Sequence, residues 1–303
     1  VTALQVAAPG KLNLCLHLGP TREDGLHEIA SLFESVSLAD TLTATTGDGL
    51  HDRVICADVL GENLAETALR SAREAGLLSG APLNVELTKR VPIAAGMGGG
   101  SGDAAAALRI AAEIEGRPLT DYEHLAFTLG ADVPSQLVPG AALVHGAGER
   151  VTVVDPAQLA GASSRAYVIV EQKRGLSTAD VFRQCDRAEL PEPTLVQREE
   201  DLIERLAAGV DLAGLCELIE NAMTPAIEAL RPELAGLPRT LAEHGALAAD
   251  FTGSGPTCFG VFDGRASAEQ AAAALESDGH IAHVAVPVDA EFASPRQIER
   301  AGR

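Results

Sequence analysis

The sequence has no tryptophan, and 303 residues contain only two tyrosines and seven phenylalanines. So few aromatic rings exclude a stacking platform of the kind that holds single-stranded nucleic acid. Positive charge is scarce too: 23 Lys plus Arg stand against 43 Asp plus Glu, a formal net charge of -20. A surface this acidic repels nucleic acid and anionic membranes, so a phosphorylated ligand has to be held by a local device rather than by the overall field. No apolar run approaches the ~20 residues of a membrane span. The start, VTALQVAAPGKLNL, has neither the basic region nor the long apolar stretch of a signal peptide. The five cysteines (Cys15, Cys56, Cys185, Cys216 and Cys258) are odd in number, widely spaced and without a CxxC pair. This argues against a disulfide framework or a zinc site and implies a reducing compartment, expected to be the cytoplasm. No HxxxH pair or carboxylate cluster has metal-ligand spacing, so no protein metal site is expected.

What is present supports a folded core: 46% of residues are hydrophobic and 22% charged, which excludes intrinsic disorder. The length favours two domains. A Pro/Ala/Gly/Ser-rich passage, VTVVDPAQLAGASS, sets the expected boundary near residue 155, giving domains 1–155 and 156–303. The N-terminal segments LQVAAPGKLNLCLHLG and LHEIASLFESVSLADTLTATT read as strands, the first breaking at Gly19-Pro20. ENLAETALRSAREAG reads as a helix ending at Gly76, PLNVELTKRVPI as a strand, and AAAALRIAAEIEG and DYEHLAFTLG as helices. Pro134 suits the first turn of a further helix. The second half runs strand AYVIVEQ, helix STADVFRQCD, a Pro-containing loop, further helices, then strands ALAADFT and TCFGVF, helix SAEQAAAALESDG and strand HVAVPV. That order is α+β and resembles a ferredoxin-like layout.

The strongest chemical signal is PIAAGMGGGSG, residues 92–102, between a strand and a helix. Its glycines leave the backbone free of side chains, so successive N–H groups can turn inward as an anion-binding nest. The helix that follows aims its positive N-terminal end at the same place. The Walker lysine is missing, and Ser101 stands where a dinucleotide fingerprint needs its third glycine. A flexible linker or a tight helix–strand packing is the plainer alternative. Three more features accompany it. Lys11 and Asn13 share one face of the first strand, although a surface lysine snorkels just as well. Asp132 stands where a helix cap belongs. Thr252-Gly-Ser-Gly-Pro256 is a second Gly/Ser turn between strands.

Taken together, PGKLNL, the central glycine loop and the late TGSGP turn resemble the three motifs of the GHMP kinase superfamily. EDGLHE, LGADVP and FTGSGPTCF resemble the branch that acts on a diphosphocytidyl sugar alcohol in the non-mevalonate route to isoprenoids. The motifs run from residue 9 to residue 260 in the expected order. The resemblance implies a two-domain α+β GHMP kinase fold, with an N-terminal domain like ribosomal protein S5 and a ferredoxin-like C-terminal domain. It implies an ATP-dependent kinase with Mg²⁺ and a small-molecule acceptor, acting as a monomer or weak homodimer. Other acceptors of the superfamily (homoserine, mevalonate or a sugar) and a nucleotide-binding protein without turnover remain as alternatives.

Carried over by motif, Asp132 would take the acceptor's hydroxyl proton and Lys11 would hold that carboxylate and offset phosphoryl charge. Pro92, Ile93, Ala94, Ala95, Gly96, Met97, Gly98, Gly99, Gly100, Ser101 and Gly102 would cradle ATP, with Asn63 and Lys89 near the nucleotide. Asn13, Leu26, His27, Thr178, Phe182, Gly253 and Ser254 would face the acceptor. There His27 would bond the cytosine edge and Phe182 would stack on its face, unless they are a turn residue and a core residue. The chain departs from the family pattern in three places. Leu26 replaces a tyrosine, Gly102 replaces a second serine, and Ala94-Ala95 interrupt the first run of glycines.

Overall fold

A computed structural model describes residues 2–57 and 63–299. Val1, Glu62 at the expected start of the first helix, and the last four residues of the expected second domain lie outside the described residues. The first half of the chain forms β1 (Thr2–Thr21), β2 (His27–Thr46), β3 (Arg53–Ile55), α1 (Leu64–Glu74), β4 (Leu83–Thr88), α2 (Gly99–Glu115), α3 (Glu123–Leu129), α4 (Val133–Leu137), β5 (Ala141–Gly146) and β6 (Arg150–Val153). The second half forms β7 (Arg165–Glu171), α5 (Thr178–Arg187), α6 (Val196–Ala208), α7 (Leu212–Leu218), β8 (Glu220–Asn221), α8 (Thr224–Leu230), α9 (Leu237–Glu243), β9 (Ala248–Phe251), β10 (Cys258–Asp263), α10 (Arg265–Ser277), β11 (Ile281–Ala285) and β12 (Arg296–Glu299).

The hairpin of β1 and β2 is the spine of the molecule. Each strand is 20 residues long, and their antiparallel pairing shifts register between Pro9 and Gly10 and between Asn13 and Cys15. β2 pairs with β4 along its C-terminal half and with β5 along its N-terminal half. β1 does not break at Gly19-Pro20 as the sequence suggests; it continues to Thr21. There the TREDG turn delivers the chain into β2.

α2 is apolar nearly all round, and every residue from Gly102 to Ala112 is buried. Such a helix belongs inside a core. Its alanines pack against α1 and against Val6, Leu42 and Val85 of the sheet. α1 begins at Asn63, whose side chain accepts a hydrogen bond from the Glu66 N–H at 2.9 Å. It ends before Gly76, which sits at φ +69° as a helix terminator.

The second half forms a four-stranded antiparallel sheet in the order β11-β7-β10-β9. Numbered by chain order this is 4-1-3-2, the ferredoxin-like arrangement expected. In space the halves interleave: β8 pairs parallel with β1, and β12 pairs antiparallel with the start of β1. A third contact is ionic. Arg165 on β7 donates to both carboxylate oxygens of Glu34 on β2, at 2.9 and 2.5 Å, and the Tyr167 hydroxyl donates to the same carboxylate. All three side chains are buried. Arg165→Met leaves Glu34 charged in an apolar layer, so denaturant unfolding should show a loss of about 3–5 kcal/mol; an unchanged midpoint would show that the pair is idle.

Candidate active site

Three backbone segments converge on a cavity of about 880 Å³. The first is the middle of β1. Lys11 is 4% exposed, and its Nζ donates to Asn13 Oδ1 at 2.5 Å. It lies 4.7 Å from the centre of the Phe33 ring, the residue opposite Asn13 on β2. Asn13 donates in turn to Ser31 Oγ, which donates to the Cys15 carbonyl. The ammonium therefore has little freedom. Burial pushes its pKa down, and the charge of Asp132 opposes that.

The second segment is the loop between β4 and α2. Ala94 and Gly96 adopt left-handed φ values of +53° and +76°, and Gly98, at φ +64°, starts α2 without a side-chain cap. The first turn of α2 carries no acidic residue, and its residues Gly99, Gly100 and Ser101 line the cavity, which places the positive end of the helix at the cavity wall. The third segment is the turn after β9. A Cβ on Gly96 would lie 2.1 Å from the Thr252 carbonyl oxygen, and one on Gly253 would lie 2.8 Å from the Gly96 carbonyl oxygen and 3.2 Å from Lys11 Nζ. Only glycines let these two turns cross. Thr252 Oγ1 accepts from the Asn13 N–H at 3.0 Å, and Asn221 Nδ2 holds the Phe251 and Gly253 carbonyls.

Asp132 occupies the cap position of α4, yet its side chain makes no cap hydrogen bond. The carboxylate instead faces Lys11, with Oδ2 3.7 Å from Nζ, and is about one-third exposed to the cavity. The capping reading of Asp132 is thereby replaced by an ion pair at the cavity wall.

Of the loop residues expected to cradle a nucleotide, Pro92 to Gly96 and Gly98 to Ser101 line the cavity, and Asn63 and Lys89 line it as well. Met97 and Gly102 do not. Met97 is buried in the core with Leu12 and Val36. Gly102 is where α2 presses on its neighbours: a Cβ there would meet Gln136 Oε1 at 2.8 Å and the Pro9 carbonyl at 3.0 Å. A serine at 102 would need room that this packing lacks. Lys89 is not a free cation, since its Nζ donates to Asp40 at 2.5 Å and to Asp103 at 2.6 Å. Asp40 also accepts from the N–H groups of Arg90 and Val91, which fixes the entry into the glycine loop.

Asn13, Leu26, His27, Thr178, Phe182, Gly253 and Ser254 line the cavity too. Thr178 and Ser254 share a hydrogen bond at 3.0 Å. His27 stacks on Phe182, with ring centres 5.0 Å apart. Its Nδ1 lies 3.2 Å from the Gly19 carbonyl, and its Nε2 3.3 Å from Thr21 Oγ1 and 3.2 Å from Asp186 Oδ1. Both ring nitrogens are engaged, so a base edge reaches them only in exchange for a present partner. Leu26 is 46% exposed at the rim. Phe33, Asp40, Asp103 and Asp186 are contributions that sequence reasoning missed. Asp103, one position past Gly102, stood nearest to a motif that the sequence already marked.

Two family models match the chain, the GHMP kinases N-terminal domain over residues 63–140 and the GHMP kinases C-terminal domain over residues 202–281. A 4-diphosphocytidyl-2-C-methyl-D-erythritol kinase of Thermobifida fusca (strain YX) is 36% identical, covering 92% of this chain and 93% of its own. One from Streptomyces coelicolor is 37% identical over 95% and 97%. The chain belongs to the GHMP kinases, in the family of these enzymes. A crystal structure of a 4-(cytidine 5'-diphospho)-2C-methyl-D-erythritol kinase superposes with a TM-score of 0.74 at 30% identity, covering 93% of this chain and 98% of that one. A homoserine kinase of Cytophaga hutchinsonii, at 18% identity and a TM-score of 0.71, shares the fold.

The glycine crossing of this GHMP kinase can be tested on stability. Gly96→Ala should cost about 3 kcal/mol, the upper end for overpacking. Gly100→Ala, where an added Cβ meets nothing within 4 Å, should stabilise by about 0.4–1 kcal/mol. Equal effects in urea unfolding would remove the crossing as a constraint.

Proposed function

We propose that this GHMP kinase transfers the γ-phosphoryl group of ATP to the 2-hydroxyl of 4-diphosphocytidyl-2-C-methyl-D-erythritol. The observation that carries the chemistry is the Lys11–Asp132 pair, 3.7 Å apart in a cavity that also contains the open N-terminus of α2. Phosphoryl transfer of this kind depends on positioning and charge neutralisation. Asp132 accepts the hydroxyl proton as the acceptor oxygen bonds to the γ-phosphorus. The bond from that phosphorus to the β,γ-bridging oxygen breaks, and ADP leaves with its electrons. Lys11 holds the carboxylate and offsets charge on the transferring group. The backbone of residues 96–101 cradles the phosphates, with Asn63 and Lys89 toward the nucleoside. Asn13, Thr178, Gly253 and Ser254 flank the acceptor, and Leu26, His27 and Phe182 form the base-binding wall.

Among the described residues, no group of three or more His, Cys, Asp or Glu side chains could hold a metal. The oxygen donors on the cavity wall at the start of α2 are the Ser101 hydroxyl and Asp103 Oδ1, which is buried without a hydrogen-bond partner. One carboxylate beside phosphate oxygens suits Mg²⁺, which otherwise keeps water and phosphate ligands. Bound there with ATP, the ion would neutralise charge on the β- and γ-phosphates. Five free cysteines fit a reducing cytoplasm. Among the described residues no helix is long and apolar enough to cross a membrane.

Release of ADP from Mg·ATP should require the cytidine substrate in a panel that also offers mevalonate, homoserine and galactose. Turnover of another acceptor would reassign the substrate, and none at all would leave a nucleotide-binding protein. Asp132→Asn should lower kcat by ~10²–10⁴-fold while leaving ATP affinity intact. Leu26→Tyr should lower KM for the cytidine substrate roughly 2–10-fold, the equivalent of ~0.5–1.5 kcal/mol for an added ring contact. An unchanged KM would show that the base packs elsewhere.

A further inference from the structure

Arg109 sits in the middle of α2, the most thoroughly buried helix described, and is itself 4% exposed. Among the described residues no carboxylate forms an ion pair with it. Burial alone pushes its guanidinium down to about 9. A buried cation without a counter-ion is costly and needs a reason. Its hydrogen bonds supply one. One terminal nitrogen donates to the Gln136 carbonyl of α4 at 2.5 Å, and the other donates to the Ala7 carbonyl of β1 at 2.8 Å. Its Nε has no partner, so two of its three nitrogens do all the work.

These two carbonyls belong to the elements that carry the reacting pair. Gln136 lies one helical turn after Asp132 on α4, and Ala7 lies four residues before Lys11 on β1. The link also reaches the phosphate loop. The Gln136 side chain donates from Nε2 to the Gly98 carbonyl at 3.0 Å. Gly98 and Gly102 both lack a Cβ where Gln136 approaches. α2, α4 and β1 are thus locked together behind the cavity by one guanidinium and one amide. An apolar side chain would fill the same volume but could not grip two carbonyls from different elements.

We propose that Arg109 is a positioning residue of phosphoryl transfer, fixing the Lys11–Asp132 spacing relative to the glycine loop. This rests on the proposed function for its kinetic readout but not for its structural one. Arg109→Met removes the grip and the unpaired charge together. Loss of the unpaired charge and loss of the donor to the Ala7 and Gln136 carbonyls oppose each other, so the variant should still fold, with a melting temperature within a few degrees of wild type. ATP affinity, measured calorimetrically, should stay close to wild type because the loop backbone is intact. kcat should fall on the order of 10²-fold, the effect of an ångström-scale misplacement of reacting groups, with KM little changed. Arg109→Lys, able to reach one carbonyl, should recover part of kcat.

A crystal structure of Arg109→Met should place Lys11 Nζ and Asp132 Oδ2 farther apart than their 3.7 Å. That reading stands whatever the acceptor, so failure of the substrate assignment and failure of this proposal are separable. If Arg109→Met folds, keeps its kcat and keeps the 3.7 Å spacing, the proposal is overturned. If Arg109→Met does not fold, Arg109→Lys decides. A lowered kcat at unchanged melting temperature supports the proposal, and a wild-type kcat overturns it.

Discussion

Two turns from opposite halves of the chain touch backbone to backbone, where Gly96 meets Thr252 and Gly253. Everything else in the site is placed relative to that crossing. It brings the glycine loop, which carries the N-terminus of α2, against the turn after β9. Lys11 lies beneath both, because a Cβ on Gly253 would already be within 3.2 Å of its ammonium. A side chain at either crossing point would push the halves apart. The constraint is steric, and for that reason it is sharp.

Electrostatics then works within this frame. A chain with a formal net charge of -20 attracts a polyanion only through local groups, and each buried cation here has a distinct partner. Lys11 is shared between Asn13 and Asp132, Lys89 between Asp40 and Asp103, and Arg165 is clamped on Glu34. Arg109 alone among these is held by carbonyls with no carboxylate beside them. With Lys89 claimed by two carboxylates, the proposed function leaves anion binding at the cavity to the N-terminus of α2 and to Lys11. Preorganised dipoles and a fixed ammonium need no rearrangement when charge moves in the transition state.

Much of this was legible from particular residues. Alternation along β4, the stop at Gly76 and Pro134 in the first turn of α4 are local signals, and local signals survive folding. Lys11 and Asn13 do share a face, because no register shift lies between them. Other features depend on distant partners and leave no local trace. The four residues of β12 return to β1 across the whole chain, and β8 is two residues long. Phe33 comes under Lys11 only through a hairpin register altered by bulges at Pro9/Gly10 and Asn13/Cys15. Gly102 and Met97 sit in the motif but serve packing, a distinction that only the positions of Gln136, Pro9 and Leu12 reveal. Lys89 gave no hint that two carboxylates would claim it.

A crystal structure with a non-hydrolysable ATP analogue and Mg²⁺ would show whether the crossing of the two glycine turns builds a single phosphate site beside Lys11 and Asp132. The γ-phosphate is expected within hydrogen-bond reach, about 2.6–3.2 Å, of backbone N–H groups in residues 96–101 and of Lys11 Nζ, with Asp132 facing the γ-phosphorus. A triphosphate lying away from the crossing, with Lys11 and Asp132 on neither side of it, would mean that the crossing builds no such site.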